Sequence, residues 1–119
     1  MKSFEETKQR LRDFSAARDW DQFHSPKNLA MALSVEVAEL VEHFQWLTED
    51  QSAALSTDRL AAVAHEIADV QIFLIRLADT LGVDLDEAVA AKIALNEQKY
   101  PVEKARGNAL KYTEFDDGD

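Results

Sequence analysis

The chain has no cysteine, and glycine and proline are scarce, with three and two residues respectively among 119. The lack of cysteine excludes a disulfide framework, thiolate catalysis and any zinc site built on cysteine. So few glycines and prolines leave little material for turns, which favours long helices over many short strands. No apolar run approaches the ~20 residues that are needed to cross a bilayer.

Charge and composition narrow the class of protein further. With 46% apolar and 30% charged residues in 13.4 kDa, the chain has the balance of one globular domain with a single core. Its net charge of −10 argues against a nucleic-acid polymer as partner, because phosphate backbones require a basic surface. A small phosphate substrate is compatible with this charge, since bound metal ions can reverse the local sign. The N-terminus is charged from the start and does not resemble a signal peptide, so we expect a cytoplasmic protein without a membrane partner.

Caps and helical periodicity predict an all-α, four-helix-bundle-like fold without strands. The first helix covers about residues 3–18 and leads into an aromatic-rich connection, DWDQFHSP, at 19–26. Ser25 and Pro26 are suited to the N-cap and the first helical position. They predict a second helix that continues to about Leu47.

The second half of the chain carries similar helix signals. Residues 48–58 are polar and small, which predicts a loop or at most a short turn. Thr57 or Asp58 is expected to cap a third helix, which ends before Gly82. A fourth helix opens with a predicted capping box in the segment 84–87 and stops before the second proline.

Two pairs of carboxylates lie inside the two most apolar segments, LSVEVAELVEHFQWL (33–47) and VAHEIADVQIFLIRLA (63–78). The four acids are Glu36, Glu39, Glu66 and Asp69. Acids three residues apart lie on one helix face, so two antiparallel helices could bring the two acidic ridges together. At a separation of roughly 6 Å and an effective dielectric constant near 20, two carboxylates repel each other by about 2–3 kcal/mol. Something must neutralise them.

A hard divalent cation is the simplest neutralising partner. Four oxygen donors plus water suit octahedral Mg²⁺, with Mn²⁺ as the second choice. A ferritin-like di-iron site fits badly, because it needs Glu-x-x-His, whereas Leu40 and Ala62 stand three residues before His43 and His65. A zincin motif fits no better, because Asp69 stands where the second histidine belongs. Both histidines are expected to be surface or core-edge residues, and a solvated acidic face is the plain alternative to the metal site.

These acids are part of a longer pattern that resembles the MazG-like nucleoside triphosphate pyrophosphohydrolases, and within them the dCTP pyrophosphatase branch. The matching segments are RDWDQFHSPKNLAMALSVEVAELVEHFQW (18–46), HEIADVQIFLIRLA (65–78) and KIALNEQKYPVEKARGNALKYT (92–113). E-x-x-E alone is a weak signal, but together with DW-x-QFH, FQW and K-x-x-x-N-x-x-KYP it is strong. The resemblance covers roughly residues 11–113, and it implies a pyrophosphohydrolase domain over 1–113 with a flexible acidic tail over 114–119.

The resemblance also implies roles for individual residues. It assigns Mg²⁺ to Glu36, Glu39, Glu66 and Asp69. It assigns the nucleotide base to Trp20, Asp21, Gln22, Phe23, His24 and Trp46. Phe73 would line the same pocket where relatives of this branch carry tyrosine, and Leu11 stands where relatives can carry histidine. These two differences bear on base selectivity rather than on the chemistry. The phosphate-contacting residues would be Lys92, Asn96 and Lys99.

Plainer interpretations of these residues stay open. Aromatic faces stack on a base with ~1–3 kcal/mol each, yet Trp20 and Trp46 could instead be core or dimer-interface aromatics. His24 could cap the following helix rather than read a base edge. Lys92 and its neighbours one and two turns on share a helix face, which could simply be solvated.

The expected activity is Mg²⁺-dependent hydrolysis of a nucleoside triphosphate, with dCTP or a modified dCTP as substrate, to the monophosphate and pyrophosphate. In this hypothesis an activated water attacks the α-phosphorus, and Glu39 accepts its proton. Glu36 is the second catalytic carboxylate. Other base preferences, such as dUTP, dATP or a broad house-cleaning range, form one alternative. A non-catalytic helical interaction module forms another.

The apolar segment 70–78 bears on assembly. Gln71 and Arg76 are its only polar residues, so it offers more apolar area than four short helices can cover. We therefore expect a homo-oligomer, and the resemblance implies a dimer of dimers.

Overall fold

The computed structural model describes residues 3–115, which form six α-helices and two 3₁₀ turns. The helices are α1 (Phe4–Ala17), α2 (Pro26–Glu42), α3 (Glu49–Ser52), α4 (Thr57–Leu81), α5 (Leu85–Lys99) and α6 (Val102–Ala105). The 3₁₀ turns are Asp21–Phe23 and Tyr112–Glu114. The described range contains no strand, so the all-α prediction is confirmed. Among these helices none is both long enough and apolar enough to cross a membrane.

Polar side chains start most of these helices by accepting a backbone N–H from the first turn. The capping residues are Ser3, Ser25, Thr48, Ser56 and Asp84. The cap at Ser25 agrees with the sequence prediction. In the segment 84–87, Asp84 accepts the Glu87 N–H at 3.0 Å, which is one of the two bonds of the predicted capping box. The cap of α4 is Ser56, not Thr57 or Asp58, because Ser56 is the last extended residue and its hydroxyl accepts the Arg59 N–H at 3.2 Å.

Helix α2 ends at Glu42, earlier than the predicted end at Leu47. Bonds of the tighter i to i+3 type follow, such as the Leu47 N–H to the Phe44 carbonyl at 2.9 Å. The Arg59 guanidinium donates to the His43 carbonyl at 3.0 Å and so satisfies an acceptor at the end of the helix. A contact across sixteen residues therefore helps to end the helix, and local periodicity does not reveal such a contact.

The chain divides into two compact units, Met1–Val83 and Asp84–Asp119. In the first unit, α1 and α2 both pack on α4, and Leu29, Val63 and Ile75 are buried between them. Burial of each such side chain contributes about 1.5–3 kcal/mol. The C-terminal end of α2 lies near the first turn of α4, which makes these two helices antiparallel.

The second unit contains α5, α6 and the last 3₁₀ turn. Tyr100 packs edge-on against Tyr112 and Phe115, with ring centroids 6.1 and 5.6 Å apart. Of the predicted flexible tail at 114–119, residues 116–119 lie outside the described part of the chain. The domain boundary at 113 stays a prediction.

Candidate active site

Three carboxylates from α2 and α4 meet where the two helices face each other. Glu36, Glu39 and Glu66 each offer an oxygen, and these oxygens all lie within 4.8 Å of one another. Their spacing explains the meeting, because Glu36 and Glu39 stand almost one turn apart on α2 and the antiparallel α4 brings Glu66 across from them. We call these three residues the acidic group.

The fourth predicted acid, Asp69, is not part of the acidic group. It lies almost one turn after Glu66 on α4 and is half-buried. Its charge still acts on the group, because it contributes to the raised pKa of Glu36. Asp69 therefore lies beside the acidic group rather than within it.

The acidic group is short of positive charge and of hydrogen-bond donors. Burial, followed by the side chain of Glu39 and the charges of Asp69 and Glu66, raises the pKa of Glu36 above its ordinary value of 4.5. The Oε2 atoms of Glu36 and Glu66 are shielded from solvent and find no hydrogen-bond partner within residues 3–115. At 4.8 Å and an effective dielectric constant near 20, two ionised carboxylates repel by about 3 kcal/mol. All the atoms that the acidic group offers to a metal ion are oxygens, which are the ligands that Mg²⁺ and Mn²⁺ prefer.

His43 lies next to the acidic group, with its Nε2 atom 3.9 Å from Oε1 of Glu66. The sequence prediction made it a surface or core-edge residue, and it is indeed half-buried. The position of His43 in the sequence already indicates its contact with the acidic group, because positions 36, 39 and 43 fall on one helix face.

The connection between α1 and α2 is held by its own polar side chains. Asp19 adopts a left-handed backbone conformation with φ of 56°, which is uncommon for a residue other than glycine. Gln22 donates to both the carbonyl and the side chain of Asp19, each at 3.0 Å. Asn28 donates to the Phe23 carbonyl at 3.0 Å, which ties the connection to the first turn of α2.

Aromatic rings on this connection remain available to a ligand. Trp20 packs edge-on against Phe14 and His24, with centroids 5.6 and 6.3 Å apart, and is still 44% exposed. Phe23 is 59% exposed. The connection therefore presents partly exposed aromatic rings, of which Trp20 also packs against its neighbours, and such rings can stack on a planar ligand.

The other two aromatic residues predicted to contact the base differ in burial. Trp46, in the turn after α2, is 86% exposed, which is incompatible with a core position in this chain. Phe73 is half-buried on α4, about one turn beyond Asp69.

A charged network that the sequence reasoning did not assign connects α1, the connection and α4. Arg76 is buried, with 7% of its surface exposed, and its Nη2 atom lies 3.3 Å from Oδ1 of Asp21. Its Nη1 atom lies 3.8 Å from Asp79. Arg12 donates two bonds to Asp79, at 2.7 and 2.6 Å, and the bonds from Arg12 hold the pKa of Asp79 below its usual value. A polar cavity of about 420 Å³ lies among these residues. The signal in the sequence was the lone arginine of the apolar segment 70–78, because a buried cation needs acidic partners.

The predicted phosphate-contacting residues belong to the second unit. Lys92 and Asn96 are exposed on α5. Lys99, in the last turn, is half-buried and its Nζ atom lies 4.8 Å from the centre of the Tyr112 ring. This is a cation–π distance, so Lys99 has a partner within its own unit.

Comparisons with known proteins agree with this architecture. Residues 31–115 match the model of the MazG-like family. The chain is 47% identical over 108 residues to dCTP pyrophosphatase 1 of Mus musculus and 44% identical over 108 residues to dCTP pyrophosphatase 1 of Homo sapiens. Each alignment covers 89% of this chain but only 64% of the relative. The chain therefore spans slightly less than two thirds of the length of the curated proteins it matches.

A solved structure is similar over most of its length. The crystal structure of a pyrophosphatase from Archaeoglobus fulgidus superposes with a TM-score of 0.78 at 45% sequence identity. The alignment covers 82% of this chain and 91% of the archaeal one.

Proposed function

The chain belongs to the MazG-like family, and from that premise we propose that it hydrolyses a nucleoside triphosphate, preferably dCTP or a modified dCTP, to the monophosphate and pyrophosphate. The observation that carries the proposal is the acidic group, with three carboxylate oxygens within 4.8 Å of one another and with the Oε2 atoms of Glu36 and Glu66 shielded and without partners in the described chain. The names of the relatives, dCTP pyrophosphatase 1, support the choice of substrate. Such an activity would remove unwanted nucleotides from the precursor pool.

The acidic group would hold Mg²⁺, with Mn²⁺ as a substitute. Glu36, Glu39 and Glu66 supply the oxygen ligands, and Asp69 is the proposed fourth ligand because its charge already acts on Glu36. When bound, such an ion lowers the pKa of a coordinated water and neutralises charge on the leaving group. The negative charge of the acidic group, which nearby cations of the described chain do not balance, supports this assignment.

The proposed reaction is a displacement at the α-phosphorus. The water oxygen forms a bond to that phosphorus, and the bond from phosphorus to the oxygen that leads to the β-phosphorus breaks, so pyrophosphate leaves. Glu39 accepts a proton from the attacking water, and Glu36 would hold the metal ion that positions this water.

The remaining predicted residues would orient the substrate. The base would be enclosed by Trp20, Asp21, Gln22, Phe23, His24, Trp46 and Phe73. The exposed rings of Trp20 and Trp46 support this role, since each can stack on a planar base. The phosphates would be contacted by Lys92, Asn96 and Lys99.

Assays on a panel of nucleotides test the proposal. We expect Mg²⁺-dependent release of pyrophosphate, not orthophosphate, with dCTP or 5-substituted dCTP giving the highest kcat/KM. Glu36→Gln should lower kcat by at least about 10²-fold, because it removes a charge that acts in the transition state. Glu42→Gln is the matched control, since Glu42 is exposed on the same helix and lies outside the acidic group.

Three results would contradict the proposal. Wild-type turnover by Glu36→Gln would show that the acidic group is not the active site. Turnover of dUTP or dATP ahead of dCTP would favour the alternative base preferences. Absence of both Mg²⁺ binding and any nucleotide-dependent thermal shift would favour the helical interaction module.

The proposal extends to assembly and location. We propose a homo-oligomer, with a dimer of dimers as the expected form, in which Trp46 lies at a ligand or a subunit contact. We propose a cytoplasmic location, with neither a nucleic-acid polymer nor a membrane as partner.

A further inference from the structure

The contacts of His24 determine which of its ring nitrogens carries the proton. Its Nδ1 atom lies 3.4 Å from Nη2 of Arg76 and 3.5 Å from the hydroxyl of Ser15. A guanidinium group has only donors, so Nδ1 must be the acceptor in its contact with Arg76. The neutral imidazole then carries its proton on Nε2.

The Arg76 guanidinium links two residues of the connection between α1 and α2 to helix α4. Nη2 of Arg76 approaches both the carboxylate of Asp21 and the ring of His24, which lie three positions apart. Arg76 is 7% exposed and Ser15 is 3% exposed, whereas the side chain of Asp21 is 60% exposed, so these contacts are shielded on the side of Arg76 and Ser15. Shielded contacts to a fixed cation restrict the connection more strongly than exposed ones do.

We propose that Arg76 is a positioning residue for base recognition, which holds the segment Asp21–His24 against α4 and fixes His24 as the tautomer with a proton on Nε2. This inference rests on the proposed function and deepens it, because it states what His24 offers to the substrate. The Nε2–H is a donor, so the matching edge of the base must present an acceptor. The O2 carbonyl oxygen and the N3 ring nitrogen of cytosine are acceptors of this kind.

The charges around His24 favour its neutral form. Burial, and then the positive charge of Arg76, lower the pKa of His24 below its ordinary value of 6.5, while Asp21 opposes the shift. Arg12, Asp13 and Asp79 line the same cavity. A neutral His24 at neutral pH keeps Nδ1 as an acceptor, which agrees with the contact geometry.

Long-range ¹H–¹⁵N spectra of labelled protein would read this tautomer directly, without substrate. In the wild type we expect His24 to carry its proton on Nε2 and to titrate below the ordinary histidine pKa. Arg76→Met should mix the two tautomers and raise the pKa of His24. It should also raise KM for dCTP roughly tenfold with a smaller effect on kcat, because a substrate contact is disordered while the acidic group is intact.

Two further variants make the test specific. Arg12→Gln removes the other guanidinium of the cavity, which contacts Asp79 and not His24, so the tautomer should not change. The double variant Arg76→Met with His24→Asn should raise KM by less than the product of the two single effects, because both substitutions remove the contact that His24 makes. If Arg76→Met does not fold, Arg76→Leu serves in its place, because leucine also has no donor, and the wild-type spectrum alone still decides the tautomer.

The failure of this inference differs from the failure of the proposed function. A proton on Nδ1 in an enzyme that turns over dCTP overturns the inference alone, and so does an unchanged tautomer in the Arg76 variants. The expected tautomer in a protein that hydrolyses no nucleotide overturns the proposed function, and with it the base-recognition role of Arg76.

Discussion

At the scale of single residues, Glu36 links the acidic group to the stability of the fold. Its pKa is raised by burial first and by three neighbouring acids after that. A raised pKa means that the folded protein holds this proton more tightly than the unfolded chain does. The ionised form, which a metal ion requires, is therefore the form that the fold alone disfavours. Metal binding and proton binding compete at this residue.

This competition predicts how stability depends on pH without metal. Between the unfolded pKa of about 4.5 and the higher folded pKa, the folded state binds more protons, so the free energy of unfolding falls as pH rises. Glu36→Gln should remove this decline, because glutamine cannot ionise. Urea denaturation of both proteins in a chelator, at several pH values from about 4.5 upward, measures the difference between the two curves.

The matched control is again Glu42→Gln, which should follow the wild-type curve. Saturating Mg²⁺ should reverse the wild-type trend, because ligand binding to the folded state grows as Glu36 ionises. Parallel curves for wild type and Glu36→Gln in chelator would show that Glu36 does not titrate differently in the fold.

The residues of the site differ in how far the sequence reveals them. The acidic group follows from i to i+3 spacing on two apolar helices, which is a local pattern. Arg76 is different, because its partner Asp21 lies 55 positions away and the sequence shows only that a cation in an apolar helix needs partners. The tautomer of His24 was out of reach for the same reason, since it depends on a contact across 52 positions.

At the scale of elements, α4 carries most of the functional geometry. It holds Glu66, Asp69 and Phe73 in its middle and Arg76 near its end, and both α1 and α2 pack on it. Its C-terminal end was predicted from Gly82 alone, and the structure confirms it. The end of α2 was not predicted, because the stop at Glu42 depends on Arg59 of α4 and on the extended Thr48 that caps α3. Local signals thus predict the end of α4 but not the end of α2.

The end of α4 gives a prediction that concerns stability but not chemistry. Gly82 has φ of 71°, and the N–H groups of Gly82 and Val83 bond to the carbonyls of Asp79 and Ala78 at 3.1 and 2.8 Å. A Cβ at Gly82 would meet nothing within 4 Å, so Gly82→Ala adds backbone strain and no clash. We expect a loss of about 1–2 kcal/mol in the free energy of unfolding. Urea denaturation measures it.

A control variant separates backbone strain from other causes. Gly82→Asn should recover much of the loss, because asparagine tolerates the left-handed conformation better than alanine does. Both variants should keep the kcat of the wild type where they are folded, since Gly82 lies outside the acidic group. Equal stability of Gly82→Ala and wild type would mean that the helix can end in another conformation.

At the scale of the whole molecule, α2 and α4 expose several large apolar side chains. Segment 70–78 was expected to offer more apolar area than four short helices can cover. Ile75 is buried there, while Ile72 and Leu74 are each 37% exposed. Leu60 and Ile67 of the same helix are more exposed, at 57% and 54%. The exposed apolar area of α4 therefore favours self-association, and it extends beyond segment 70–78.

Leu60 provides a direct test of self-association. If exposed leucine on α4 is covered by a second copy of the chain, Leu60→Glu would place a charge in that apolar contact, which costs free energy unless the charge finds a partner. We expect the wild type to sediment as an oligomer at micromolar concentration and Leu60→Glu to shift toward smaller species. Gln71→Glu is the control, since it adds the same charge at an exposed polar position of the same helix.

A wild type that sediments as a stable monomer would contradict the proposed dimer of dimers. An unchanged oligomer in Leu60→Glu would place the contact on another face, because a buried carboxylate there could not have been tolerated without loss.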